Sequence, residues 1–146
     1  VNLFLAMSEA EVAQALEELQ LLERLVADLQ ARILTLQRSV TEHEEAVKLI
    51  EEIRKSGGSM KILVPIGAGT FAEASLQSVE KVTVSLGAGV YAVKALEDTQ
   101  QLLTKRNQAL QAYVDALAKR LSEYAGRAEE LRRFLNRVLT AQQRQG

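Results

Sequence analysis

The chain has 146 residues, a formal net charge of -1, an apolar fraction of 47% with only 4% aromatic residues, and no cysteine or tryptophan. That length suits one domain or one extended object, and the shortage of aromatics argues for long helices over a thick globular core. The missing cysteines exclude disulfides and thiolate metal sites and are compatible with a cytoplasmic setting. His43, the single histidine, excludes a multi-histidine metal cluster, and the balanced charge disfavours a nucleic-acid partner.

The opening stretch 1–7 is apolar but too short to span a bilayer, and it lacks the basic flank of a signal peptide. It reads either as a disordered leader before Met7 or as an apolar arm that touches a partner. No stretch has the length and hydropathy of a membrane span, so a membrane is not an expected partner.

A helix is expected over 8–56. Ser8 and Glu11 have the spacing of a capping box. From there apolar residues keep a seven-residue beat, with Val12, Leu19, Val26, Ile33, Val40 and Val47 in one series. Ala15, Leu22, Leu29, Leu36, His43 and Ile50 form the other. These are the a and d positions of a coiled coil, sustained over about six heptads, where an ordinary helix of period 3.6 would drift out of register. At 1.5 Å per residue such a helix is on the order of 70 Å long and must pair with another. His43 on the seam reads as a half-buried polar residue that tunes register; the alternative is a pH switch or ligand. Ser56-Gly57-Gly58-Ser59 stops the helix.

The middle, 57–94, holds two near copies of one motif, twenty residues apart. Val64-Pro65-Ile66-Gly67-Ala68-Gly69-Thr70-Phe71-Ala72 is followed by Val84-Ser85-Leu86-Gly87-Ala88-Gly89-Val90-Tyr91-Ala92. Each copy is an alternating run, a glycine break and a second run, which predicts two β-hairpins. Pro65 lacks an amide donor, so its strand must be an edge or carry a bulge there. Gly67 to Ala72 and Gly87 to Ala92 formally match a dinucleotide-binding fingerprint. That fingerprint needs a helix directly after the glycines, and here a second alternating run follows. Hairpin turns are therefore the reading, with no cofactor. No catalytic constellation stands out, and the chain is not expected to be an enzyme.

A second helix is expected over 95–141, with a frayed tail at 142–146. Glu97 and Asp98 suit its first turn. Its seam is Leu96, Leu103, Leu110, Leu117, Tyr124, Leu131 and Val138, with Gln100, Asn107, Val114, Leu121, Ala128 and Leu135. Gln100 and Asn107 are polar seam positions suited to fixing register. The matched lengths favour an antiparallel coiled coil within one chain over a parallel homodimer. The fold class is thus α+β, mainly α: two long helices joined by two hairpins. Isolated hairpins are marginal in water, and their edges and apolar faces invite pairing with other chains. Ile62, Val64, Ile66, Phe71, Val82, Val84, Leu86, Val90 and Tyr91 are the expected assembly residues, with the hairpins of several chains closing an oligomerisation barrel.

Helix, doubled Gly-Ala-Gly hairpin and helix together resemble the alpha class of archaeal prefoldin over nearly the whole chain from Ser8. The resemblance implies an ATP-independent chaperone in which two alpha and four beta subunits form a hexamer. Coiled coils project from a β platform, hold non-native proteins at their tips and deliver them to a group II chaperonin. On this chain the tip candidates are Val12 and Leu16 from the first helix, and Phe134, Leu135, Val138 and Leu139 from the second. Phe134 and Leu139 fall beside the seam, where they either meet clients or widen the coiled-coil contact. A structural, filament-forming relative of the alpha class is the rival reading.

Overall fold

The computed structural model describes residues 2–145, and side chains over 9–144. The element order is α1 (Asn2–Lys55), β1 (Met60–Gly67), β2 (Thr70–Leu76), β3 (Lys81–Gly87), β4 (Val90–Ala95) and α2 (Leu96–Gln145). The side chains of the apolar leader and of Ser8, the expected cap, lie outside the described residues. The chain divides into two compact units. One joins Val1–Gln37 to Ala112–Gly146, and the other is Arg38–Gln111.

The heptad beat sets what is covered. Every seam residue from Val12 to Ile50 and from Leu96 to Val138 is buried or half-buried. In the first unit Ala15, Leu22, Ala128, Leu131 and Leu135 form the core, with Val12, Leu19, Tyr124 and Phe134 packed against it. The start of α1 therefore lies against the end of α2, the antiparallel arrangement. Charged pairs flank this seam. Arg127 places Nε 2.9 Å and Nη2 3.2 Å from the two carboxylate oxygens of Glu18, and its Nη1 reaches Glu130. Arg132 joins Glu23 at 3.2 Å and also contacts Glu129. A planar guanidinium that grips a carboxylate with two donors fixes geometry better than a lysine could.

In the second unit Ile50, Ile53 and Leu96 form the core, and Met60, Leu76, Val79, Val82 and Leu103 pack on it. The hairpin bases are thus anchored to the helix ends. Glu44 accepts from Gln111, and Glu51 accepts from Gln100, so α1 and α2 run antiparallel here too. Gln100 is held at both ends: its Nε2 donates to Glu51 at 2.9 Å and its Oε1 accepts from Arg54 at 2.7 Å. That is a polar clip at the seam position expected to set register. His43 is half-buried, and its Nδ1–H donates to the Ser39 carbonyl at 2.7 Å. A carbonyl can only accept, so Nδ1 carries the proton. Asn107 keeps a buried Oδ1 with no partner among the described residues.

The end of α1 closes in a Schellman motif. Gly58 N donates to Ile53 O and Gly57 N to Arg54 O, with φ of 71° and 85° at Gly57 and Gly58. The Gly58 carbonyl then accepts from Val79 N at 2.9 Å, which ties the linker between the hairpins to the helix end. A Cβ on Gly58 would lie 2.5 Å from the Val79 carbonyl oxygen, whereas one on Gly57 would meet nothing within 4 Å.

Two stability predictions follow from these contacts. Gly58→Ala must shift backbone as well as accept a strained φ, so it should cost about 2 kcal/mol or more, against about 1 kcal/mol for Gly57→Ala. Urea melts followed by circular dichroism measure the difference, and equal losses would place the strain elsewhere. The hydrogen bonds from Arg127, helped by its charge, hold the Glu18 carboxyl below the usual carboxylate range. A depressed folded-state pKa means this stabilisation is present above the unfolded value and is lost as pH falls through the folded one. Melting temperature should therefore drop more in the wild type than in Glu18→Gln as pH is lowered below about 4, and added salt should narrow the gap.

Candidate functional site

Exposed apolar residues gather at the hairpins in one unit and the helix ends in the other, with Leu34, Leu49 and Tyr113 exposed singly along the helices. Each hairpin is its own two-stranded sheet, β1 with β2 and β3 with β4. The turns are made by Ala68-Gly69 and Ala88-Gly89, all with positive φ, which is the backbone of a type I′ connection. In both copies the register slips by one residue before the turn, between Pro65 and Gly67 and between Ser85 and Gly87. Ile66 and Leu86 are the extra residues, so β1 meets both alternatives expected at Pro65, an edge strand and a bulge, and the copy carries the bulge without a proline. Bulges raise the local twist of a strand and re-aim its side chains.

The even-numbered face of each hairpin holds Ile62, Val64, Val82 and Val84. Ile62 and Val82 are half-buried and Val84 is buried, while Val64 is exposed. Ile66, Phe71, Leu86, Val90 and Tyr91 are exposed, Phe71 to 60% and Tyr91 to 66%. Leu63 and Val93, which sequence reasoning missed, are as open as any of these, at 69% and 68%. They lie on the opposite face, paired with Glu73 and Thr83. The alternation concealed them, because one apolar face per strand was assumed and these strands have two. The exposed Lys61–Glu73 pair, 3.4 Å apart across β1 and β2, is the polar break on that second face.

The helix-end candidates separate into two groups. Leu135 is buried in the first unit's core, and Val12 and Phe134 pack against it. Val138 is half-buried. Only Leu16 and Leu139 stand well clear, each about half exposed. Leu21, off the heptad register and also half exposed, joins them. A groove of about 850 Å³ runs between the helices here, with Ala15, Leu21, Leu131 and Phe134 as its apolar lining and Glu11, Glu17, Glu18, Glu130, Arg127 and Arg137 at its rim. Phe134 thus serves both the coiled-coil contact and the groove wall.

No group of acidic residues and histidine suited to a metal ion occurs among the described residues. No helix among them is long and apolar enough to cross a membrane. Both Gly-Ala-Gly pieces are strand turns, so neither presents a helix N-terminus to a phosphate. What the surfaces offer is apolar area, unpaired strand edges and charge.

The chain matches the model of the family described as prefoldin subunit over residues 22–141. It is 29% identical over 140 residues to a prefoldin subunit alpha of Nitrosopumilus maritimus, covering 96% of each chain. It is 31% identical over 134 residues to a prefoldin subunit alpha of Pyrobaculum calidifontis, covering 92% of this chain and 98% of the relative. Its fold is similar to that of a filamentous PFD from Methanocaldococcus jannaschii solved by cryo-electron microscopy. That match has a TM-score of 0.65 and 20% identity, and covers 79% of this chain and 95% of the other. With two long helices, a doubled hairpin between them and a family match across most of its length, this chain belongs to the prefoldin family.

Proposed function

We propose that this chain is an alpha-type subunit of a cytoplasmic, ATP-independent chaperone. Its hairpins gather protomers into a platform, and its paired helix ends hold non-native polypeptides for transfer to a group II chaperonin. The observation that carries the reading is the unfinished state of the hairpins. Two separate two-stranded sheets expose Leu63, Ile66, Phe71, Tyr91 and Val93, with one free edge on every strand. Such sheets become stable when further strands pair with them. Prefoldin beta subunits, in an arrangement of two alpha and four beta chains, are the partners that family membership favours.

Capture at the helix ends needs no chemistry beyond desolvation. Leu16, Leu21 and Leu139 offer small apolar contacts, each worth little at about 25 cal/mol per Å² buried. Several arms acting on one client add these contacts through effective concentration. Weak, dispersed contacts also let the client leave without an energy source. The buried seam of Ala15, Leu22, Ala128, Leu131 and Leu135 keeps the two helices together, and the charged pairs at Glu18 and Glu23 fix which faces meet, while the outer faces engage the client.

A second reading has one observation in its favour, the filamentous assembly of the structural neighbour. On that reading the same hairpin edges pair head to tail without closing, and the protein is a scaffold.

Val84→Asp with Leu86→Asp should abolish multi-chain assembly while far-ultraviolet circular dichroism keeps most of its helical signal. Sedimentation that still shows assemblies would remove the hairpins from the interface. Leu16→Ser with Leu139→Ser should leave the assembly mass unchanged and weaken suppression of client aggregation severalfold, as expected when two apolar contacts are lost. Unaltered suppression would move the client site away from the helix ends. Electron microscopy of the chain alone separates discrete particles from filaments.

A further inference from the structure

We propose that the groove at the helix ends discriminates clients by charge, favouring segments that carry lysine or arginine beside a large apolar side chain. This rests on the tip-capture reading above and names the client chemistry that the site takes.

The argument begins with the lining. Ala15 and Leu131 are buried residues at the base, and Leu21 and Phe134 supply apolar walls, so a leucine- or phenylalanine-sized side chain finds cover there. The rim carries four carboxylates, Glu11, Glu17, Glu18 and Glu130, against two guanidiniums, Arg127 and Arg137. Arg127 is already engaged, with two donors on Glu18 and a third on Glu130. Glu11 and Glu17 make no ion pair among the described residues, and both are exposed. The α1 wall has no counter-charge of its own: between Glu9 and Glu23 it holds Glu9, Glu11, Glu17, Glu18 and Glu23 and no lysine or arginine.

The α2 wall has the opposite bias, but much of it is spent within the protein. Arg132 is held by Glu23 and Glu129, and Arg133 by Glu129. Arg137 is the groove's one guanidinium without an ion pair among the described residues. A client cation placed beside the apolar base meets two open carboxylates, whereas a client anion meets them as repulsion. Complementarity of this kind selects partners and speeds encounter more than it adds affinity.

The test uses the full chain and three short fluorescein-labelled peptides that share one Leu-Phe-Leu core, flanked by lysines, glutamines or glutamates. In fluorescence anisotropy at low salt the lysine peptide should bind about fivefold tighter than the glutamate peptide, with the glutamine peptide between them. The gap should close at about 0.5 M salt, where charges are screened over a few ångströms. Glu11→Gln with Glu17→Gln should abolish the gap at low salt and leave the glutamine peptide's affinity unchanged. Equal binding of all three peptides, or a preference for the glutamate peptide, overturns the charge proposal while leaving tip capture standing. Failure of the glutamine peptide to respond to Leu21→Ser, in the exposed part of the groove wall, overturns tip capture itself. If the glutamate variants change only the assembly mass, the groove's occupant is a second copy of this chain, and the proposal fails.

Discussion

A two-stranded sheet cannot satisfy its own backbone. Each strand pairs on one side only, and the other side presents donors and acceptors to water or to another strand. This chain builds two such sheets and anchors them by their bases, at Met60, Leu76, Val79 and Val82, to Ile50, Ile53 and Leu96. The anchoring leaves the far halves of the hairpins uncovered, where Ile66, Phe71, Leu86, Val90 and Tyr91 are all exposed. Local order at the base and unmet pairing beyond it make a unit that is stable enough to present but incomplete until it associates.

The helices solve a different problem. Their seam is apolar and continuous in sequence, and each unit buries its own share of it. Two of the three polar seam residues find specific partners: Gln100 bridges Glu51 and Arg54, and His43 turns its ring to its own helix, whereas the Asn107 Oδ1 has none among the described residues. Toward the helix ends the clamp changes character, from hydrogen-bonded amide to the Glu18–Arg127 and Glu23–Arg132 ion pairs. Exposed ion pairs add little stability but do define which faces meet. Leu16, Leu21 and Leu139 lie off the covered stripe and are left about half exposed.

Much of this architecture could be read before any coordinates. A seven-residue period is a strong signal because it constrains every turn of a long helix, and each seam residue it named is covered. The doubled hairpins were equally legible from the glycines between alternating runs, but the turn type was not, since Ala68 and Ala88 adopt a positive φ that alanine disfavours. Less was visible where the outcome depends on the register between elements. Nothing in the pattern paired Arg127 with Glu18, residues 109 apart in sequence. Leu135 on the seam and Phe134 beside it were both tip candidates; the first is core, and the second leans on that core rather than standing clear of it. Leu63 and Val93 were passed over because alternation presumes a single apolar face.

Hydrogen–deuterium exchange of the strand amides, run together with native mass measurement, tests the central claim most directly. The chain should be followed alone and mixed with a prefoldin beta subunit. Amides on the outer edges of β1 to β4 should exchange freely in any single-chain species and become protected in step with the appearance of multi-chain assemblies. A stable single chain whose outer strand amides are already protected would contradict the account.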